Sequence, residues 1–266
     1  MNAAYPPSPE PLTFPAFDAH THLDALDMAP EEAVASAAAV GVTRMVTVGC
    51  DLPSSRWSVE SARLHDAVFA AVAIHPNDTS DITDDTIADI AHLAAEPRVR
   101  AVGETGLDYY RDWADPAAQQ WSFRAHIEIA KRTGKALMIH DRDAHDDILR
   151  ILDADGPPEK VIFHCFSGDA DMARLCAERG YYMSFAGNVT FTNAAPLREA
   201  ALAAPPELML IETDAPYLTP VPHRGKPNAP YLIPYTLRFL AELKGLDPGA
   251  LARTIDAAGR AVFGDW

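Results

Sequence analysis

Two histidines one residue apart close the segment Asp18-Ala19-His20-Thr21-His22, which follows an apolar stretch at 14–17. On an extended strand, residues i and i+2 point to the same side. The imidazoles of His20 and His22 then stand about 6–7 Å apart along the strand, placed to grip one divalent cation. An H-x-H pair alone is commonplace. Here four further donors accompany it, each following its own apolar run: Glu104 after 99–103, His140 after 136–139, His164 after 161–163 and Asp214 after 208–211. Four imidazoles and two carboxylates suffice for two divalent ions, with one carboxylate able to bridge. A lone histidine at a strand end is ordinarily a hydrogen-bonded core or rim residue. Six donors on five separate runs are poorly explained that way.

The elements that must carry these donors alternate regularly. Apolar runs at 14–20, 44–49, 68–74, 99–103, 136–140, 161–166, 181–186 and 208–211 read as strands. They lack strict alternation, as parallel strands buried on both faces do. Alanine-rich amphipathic stretches between them read as helices: 31–40, 54–65, 85–95, 116–132, 144–152, 171–179 and 196–203. Asp115 before Pro116 is an N-cap signal, and Gly41, Gly134 and Gly180 sit where helices should stop. Eight strands separated by helices predict an α/β fold, a (β/α)8 TIM barrel, with additional C-terminal helices over 235–243 and 248–263. An open doubly wound sheet is second choice, weakened by the lack of a glycine-rich phosphate fingerprint after the first strand. In a barrel the carboxyl ends of the strands converge on the face where catalytic residues sit. The proline-rich segment 219–234 then reads as a loop over the barrel mouth.

Bulk properties set limits. The 266 residues are 48% hydrophobic and 23% charged, with no apolar run of membrane-spanning length. Residues 1–15 are rich in proline and read as a disordered leader, leaving 16–266 as a single barrel domain. Three cysteines (Cys50, Cys165, Cys176) without zinc-finger spacing suit reduced thiols in a cytoplasmic protein. With 22 Lys and Arg against 38 Asp and Glu, the net charge is −16. This argues against a nonspecific nucleic-acid coat protein, but not against a nuclease whose site is made cationic by bound metals.

The donor segments, in this order, resemble the TatD family of metal-dependent deoxyribonucleases, within the amidohydrolase-like barrel hydrolases. The matching stretches begin with Asp18-Ala19-His20-Thr21-His22-Leu23-Asp24, Ala73-Ile74-His75-Pro76 and Val102-Gly103-Glu104-Thr105-Gly106-Leu107-Asp108-Tyr109. They continue through Ile139-His140-Asp141-Arg142-Asp143-Ala144, His164-Cys165-Phe166-Ser167-Gly168 and Glu212-Thr213-Asp214-Ala215-Pro216-Tyr217-Leu218, and end at Arg224-Gly225-Lys226 with Asn228. Two departures stand out. His126 replaces a usual glutamine, and Ala229-Pro230 replaces a frequent Glu-Pro.

The resemblance implies that His20 and His22 hold a first metal with Asp214 beside it. Glu104 bridges, and His140 and His164 hold the second. Glu104 stands where other branches of the superfamily carry a carboxylated lysine. It also implies DNA as substrate, cleaved at phosphodiester bonds, with an exonuclease preferred. Two divalent ions are the expected cofactors, with zinc, manganese and magnesium the candidates. The nucleophile is a metal-activated water, Asp214 its proton acceptor, and Glu212 orients the water or a ligand or packs in the barrel wall. His75, Arg142, Arg224 and Lys226 are candidate phosphate contacts. Tyr109, Tyr110 and Trp113 are candidate stacking groups. Neither a membrane nor an obligate protein partner is expected. The competing chemistry is ester or amide hydrolysis, as on aminoacyl-tRNA; a non-enzymatic binding barrel comes third. His65, His92 and His145 lie on helices without such partners and read as surface or structural residues, and His126 as structural or rim.

Overall fold

A computed structural model describes residues 4–266. Eight strands form one sheet in chain order: β1 (Ala16–Thr21), β2 (Val42–Val48), β3 (Val68–Val72), β4 (Val99–Asp108), β5 (Ala136–Arg142), β6 (Val161–Phe163), β7 (Tyr182–Phe185) and β8 (Met209–Ile211). Thr21 bridges Ala215 in parallel just past β8, which brings the last strand back to the first. The fold is the expected (β/α)8 barrel. Helices α1 (Pro30–Ala39), α2 (Leu52–Leu64), α3 (Asp84–Ala94), α4 (Pro116–Thr133), α5 (His145–Asp155), α6 (Ala170–Glu178) and α7 (Ala195–Ala203) separate the strands, and α8 (Ile233–Lys244) and α9 (Pro248–Phe263) follow. Among the described residues no helix is long and apolar enough to cross a membrane.

The chain resolves into two compact units, 1–46 with 168–266 and 47–167. In the first, Phe17 of β1 is fully buried against Phe263 and Trp266, with ring centroids 6.4 and 4.9 Å away. Asp256 of α9 pairs with Arg44 of β2, whose guanidinium also lies over Trp266. The C-terminal helix thus plugs the start of the barrel wall.

Composition predicts an unattached leader, and the structure differs. Residues 1–3 lie outside the described residues. Beyond them, Tyr231 donates to the Pro6 carbonyl (2.5 Å), Arg238 donates to the carbonyls of Glu10 (2.7 Å) and Pro11 (3.1 Å), and the Leu12 amide donates to Val40 (3.0 Å). Prolines lack an amide donor. Their carbonyls still accept, so two side-chain donors and the backbone bond at Leu12 hold the segment.

In the second unit, β4 and β5 set the geometry of the site. The sequence pattern ends β4 at Gly103, but the strand runs on to Asp108, pairing Gly106 with His140 and Asp108 with Arg142. A Cβ on Gly103 would lie 2.4 Å from the Met138 Cβ, and one on Gly106, which has φ +139°, would lie 2.1 Å from the His140 carbonyl oxygen. These glycines permit a close strand approach and do not end the strand. Helix α4 starts as its residues dictate: Asp115 accepts from the Ala117 amide (2.8 Å), Pro116 is the first helical residue, and Gly134 closes it in the left-handed region.

Candidate metal centre

Each unit carries its own donor set. In the first, His20 lies on β1 and His22 one residue past it. Their Nε2 atoms are 3.2 Å apart, and the Asp214 Oδ1 lies 3.7 Å from the first and 3.5 Å from the second. Donors at ~2.1 Å from one zinc-sized ion stand about 3–3.5 Å from each other, so these separations fit a shared cation. Asp214 is placed by its amide, which donates to the His20 carbonyl (2.9 Å), and by a left-handed turn at φ 55°. Asp18 sets the relation between the two segments. Its buried carboxylate accepts from the amide of Thr213 (2.9 Å), the hydroxyl of Thr213 (2.5 Å) and the amide of His20 (3.2 Å).

In the second unit one oxygen, Glu104 Oε1, is the centre. It lies 2.7 Å from His140 Nδ1, 2.8 Å from His164 Nε2 and 3.4 Å from His75 Nε2. Burial pushes the Glu104 carboxyl up, but the surrounding imidazoles outweigh it and hold the group well below its usual range. The His140 Nε2 lies 3.1 Å from Asp108 Oδ2. Burial lowers the basicity of His140, and the Asp108 and Glu104 carboxylates more than reverse this. A carboxylate among three imidazoles, with a second carboxylate behind one of them, is a donor set suited to zinc or manganese. His75, Glu104 and His140 in the second unit lie close enough to share one ion, as do His20, His22 and Asp214 in the first.

The family model described as TatD related DNase matches residues 17–264. The chain belongs to the TatD related DNase family. A Mycobacterium tuberculosis protein named "Uncharacterized metal-dependent hydrolase TatD" is 49% identical over 258 residues, 93% of this chain and 97% of the relative. A Citrobacter rodentium protein named "3'-5' ssDNA/RNA exonuclease TatD" is 37% identical over 88% of this chain and 91% of its own length. Among solved structures, the TatD homologue YJJV from Escherichia coli superposes with a TM-score of 0.87 at 25% identity, covering 94% of this chain and 98% of that one. As a TatD-family protein the chain is a metal-dependent hydrolase.

Within this TatD-family chain, the six expected ligands fall into the two sets just described. His75, expected to contact phosphate, stands beside Glu104. Its Nδ1 accepts from the Asn77 amide (3.1 Å), the turn contact that Pro76 suggests. Glu212 is fully buried, with its amide donating to the Phe185 carbonyl (3.2 Å). Arg142 lies over the Tyr110 ring and Arg224 over Phe191. Tyr109, expected as a stacking group, has its hydroxyl tied to Asp147 (2.7 Å) and Gln120 (2.8 Å). Sequence reasoning missed Asp18 and Asp108. The even spacing of Glu104 and Asp108 on one strand is the signal that could have found the second.

The departure at His126 is also explained. The ring is fully buried; Nδ1–H donates to the Ser122 carbonyl (2.7 Å) and Nε2 accepts from the Ile74 amide (3.1 Å). That is the work of a neutral imidazole, and a glutamine amide offers the same donor and acceptor. Burial pushes the His126 pKa down to about 4. The folded value then lies below the unfolded one, so its stabilisation is complete above about pH 6.5 and is lost as pH falls toward 4. The gap corresponds to ~3 kcal/mol. Urea midpoints measured at pH 7.5 and 4.5 are expected to drop less in His126→Gln than in the parent. An equal drop would assign the acid sensitivity elsewhere.

Proposed function

We propose that this chain hydrolyses phosphodiester bonds of single-stranded DNA or RNA, from a free end, with two divalent ions. The observation that carries the reading is the sorting of six sequence-predicted ligands into two compact donor sets. The name of the Citrobacter rodentium relative, a 3'-5' ssDNA/RNA exonuclease, supports the substrate class and direction. His20, His22 and Asp214 would hold one ion, and Glu104, His140 and His164 the other, with His75 adjacent. When bound, such ions supply Lewis acidity toward water and the phosphoryl oxygens. Asp214 accepts the proton of the attacking water, and Glu212 orients the ligands around it. Arg142 and Arg224, each lying over an aromatic ring, are the proposed phosphate contacts. The single family match over 17–264 supports one hydrolase domain from residue 16 onward. A cytoplasmic setting suits the three thiols: among the described residues no disulfide joins Cys50, Cys165 and Cys176.

The test is a panel with magnesium, manganese and zinc on end-labelled single-stranded DNA, RNA and an aminoacyl ester. Stepwise shortening from the 3' end is expected, stopped by a chelator and restored by readded metal. Cleavage of the ester alone overturns the phosphodiesterase reading and leaves the metal sites standing.

A further inference from the structure

The loop after β4 displays two large rings, Tyr110 at 64% and Trp113 at 60% exposure. Each is backed by a cation: Arg142 Cζ sits 3.9 Å from the Tyr110 ring centre and Arg111 Cζ 4.2 Å from that of Trp113. A guanidinium covers one face of a ring only, and both residues stay largely exposed.

The backbone beneath the rings is fixed. Asp108 Oδ1 accepts from the amides of both Tyr110 (3.1 Å) and Arg111 (3.1 Å), Ser80 donates to the Trp113 carbonyl (3.3 Å), and Gln119 donates to the carbonyls of Asp108 (3.1 Å) and Ala114 (3.1 Å). The ordering cost of presenting the rings is therefore already met. The loop also adjoins the metal centre. The other oxygen of Asp108 contacts His140, and Arg142 lies two residues beyond His140 on β5, on the same side of the strand.

We infer that Tyr110 and Trp113, each backed by its arginine, form a stacking platform for the unpaired bases of a single strand beside the Glu104 centre. The inference rests on the proposed phosphodiesterase activity and adds how the substrate is read. Ring faces suit bases of any sequence, and the guanidinium edges suit the phosphates between them. A duplex presents no free base faces. An apolar protein partner requires a continuous apolar patch, whereas Arg111, Asp112 and Asp115 interrupt the surface around these rings.

The test compares steady-state cleavage, by the full-length metal-loaded protein, of an oligothymidylate and of an abasic strand with the same number of phosphates. Tyr110→Ala with Trp113→Ala is expected to raise KM on oligothymidylate about tenfold or more, with a smaller change in kcat. The abasic strand, already poorly held by the parent, is expected to change far less. Phe at both positions keeps a ring and is expected to restore most of the affinity on oligothymidylate, whereas a purely structural role predicts an equal loss on both strands in the alanine variant. An unchanged KM in the double alanine variant, or an equal loss on both strands, overturns the platform while the nuclease activity stands. A parent protein that cleaves neither strand overturns the phosphodiesterase reading and the platform together.

Discussion

Asp214→Asn is expected to lower kcat by about 10²–10⁴ with metal saturating, the range for loss of a positioned general base. Two features of the parent motivate this. The Asp214 carboxylate stands 3.5–3.7 Å from both imidazole nitrogens of its set. Its backbone is locked by the hydrogen bond its amide donates to the His20 carbonyl and by the left-handed turn. Asparagine tolerates that turn and keeps one oxygen for a cation, so the fold and part of the metal affinity should survive. What it cannot do is take a proton. Elemental analysis of the purified variant, alongside single-turnover cleavage, separates the two losses. Wild-type turnover at full occupancy would remove Asp214 from the proton-transfer role.

Glu104→Gln is expected to be the most damaging change to metal content. One carboxylate oxygen lies within 2.7–3.4 Å of three imidazoles, and those imidazoles are what keep the group ionised at depth. A neutral amide removes the negative charge that a divalent ion needs here and leaves Asp108 as the nearby carboxylate, behind His140. The purified variant should hold about one metal fewer per chain, with activity down about 10³-fold and not recovered at millimolar metal. Parent-like stoichiometry with normal turnover would show that the second set is not a working site. The His20, His22 and Asp214 set should keep its ion, which makes the ratio of metals between the two variants informative in itself.

Much of the site was legible because the six ligands follow short apolar runs, and such runs are visible without any long-range information. The strand ends were harder. The apolar run ends at Gly103, and only the backbone of β5, pressed against Gly103 and Gly106, shows that the strand continues. The run 161–166 reads as one strand, yet β6 stops at Phe163 and Cys165 takes a left-handed φ of 41°. Asp18 and Asp108 look like the ordinary charges of an acidic protein. Asp18 earns its role from Thr213, 195 residues away, and no local pattern announces such a partner. His75 is similar: its turn with Pro76 is readable, while its place beside Glu104 depends on how β3 and β4 pair. The leader misled for the opposite reason. Its composition is rich in proline, which has no amide to donate, and the side-chain donors that hold it, Tyr231 and Arg238, lie at the far end of the chain.

The seam between β1 and the segment after β8 also sets a timetable. During synthesis, His20 and His22 are made early, but their carboxylate and the Thr213 hydroxyl that seats Asp18 leave the ribosome nearly two hundred residues later. Until then the nascent chain has two of the three donors and no closing strand. The Glu104 set, built wholly within 47–167, has all its ligands by His164. A polypeptide released prematurely, before Asp214, therefore lacks one complete ligand set, so cation capture at the seam reports that translation has reached the last strand.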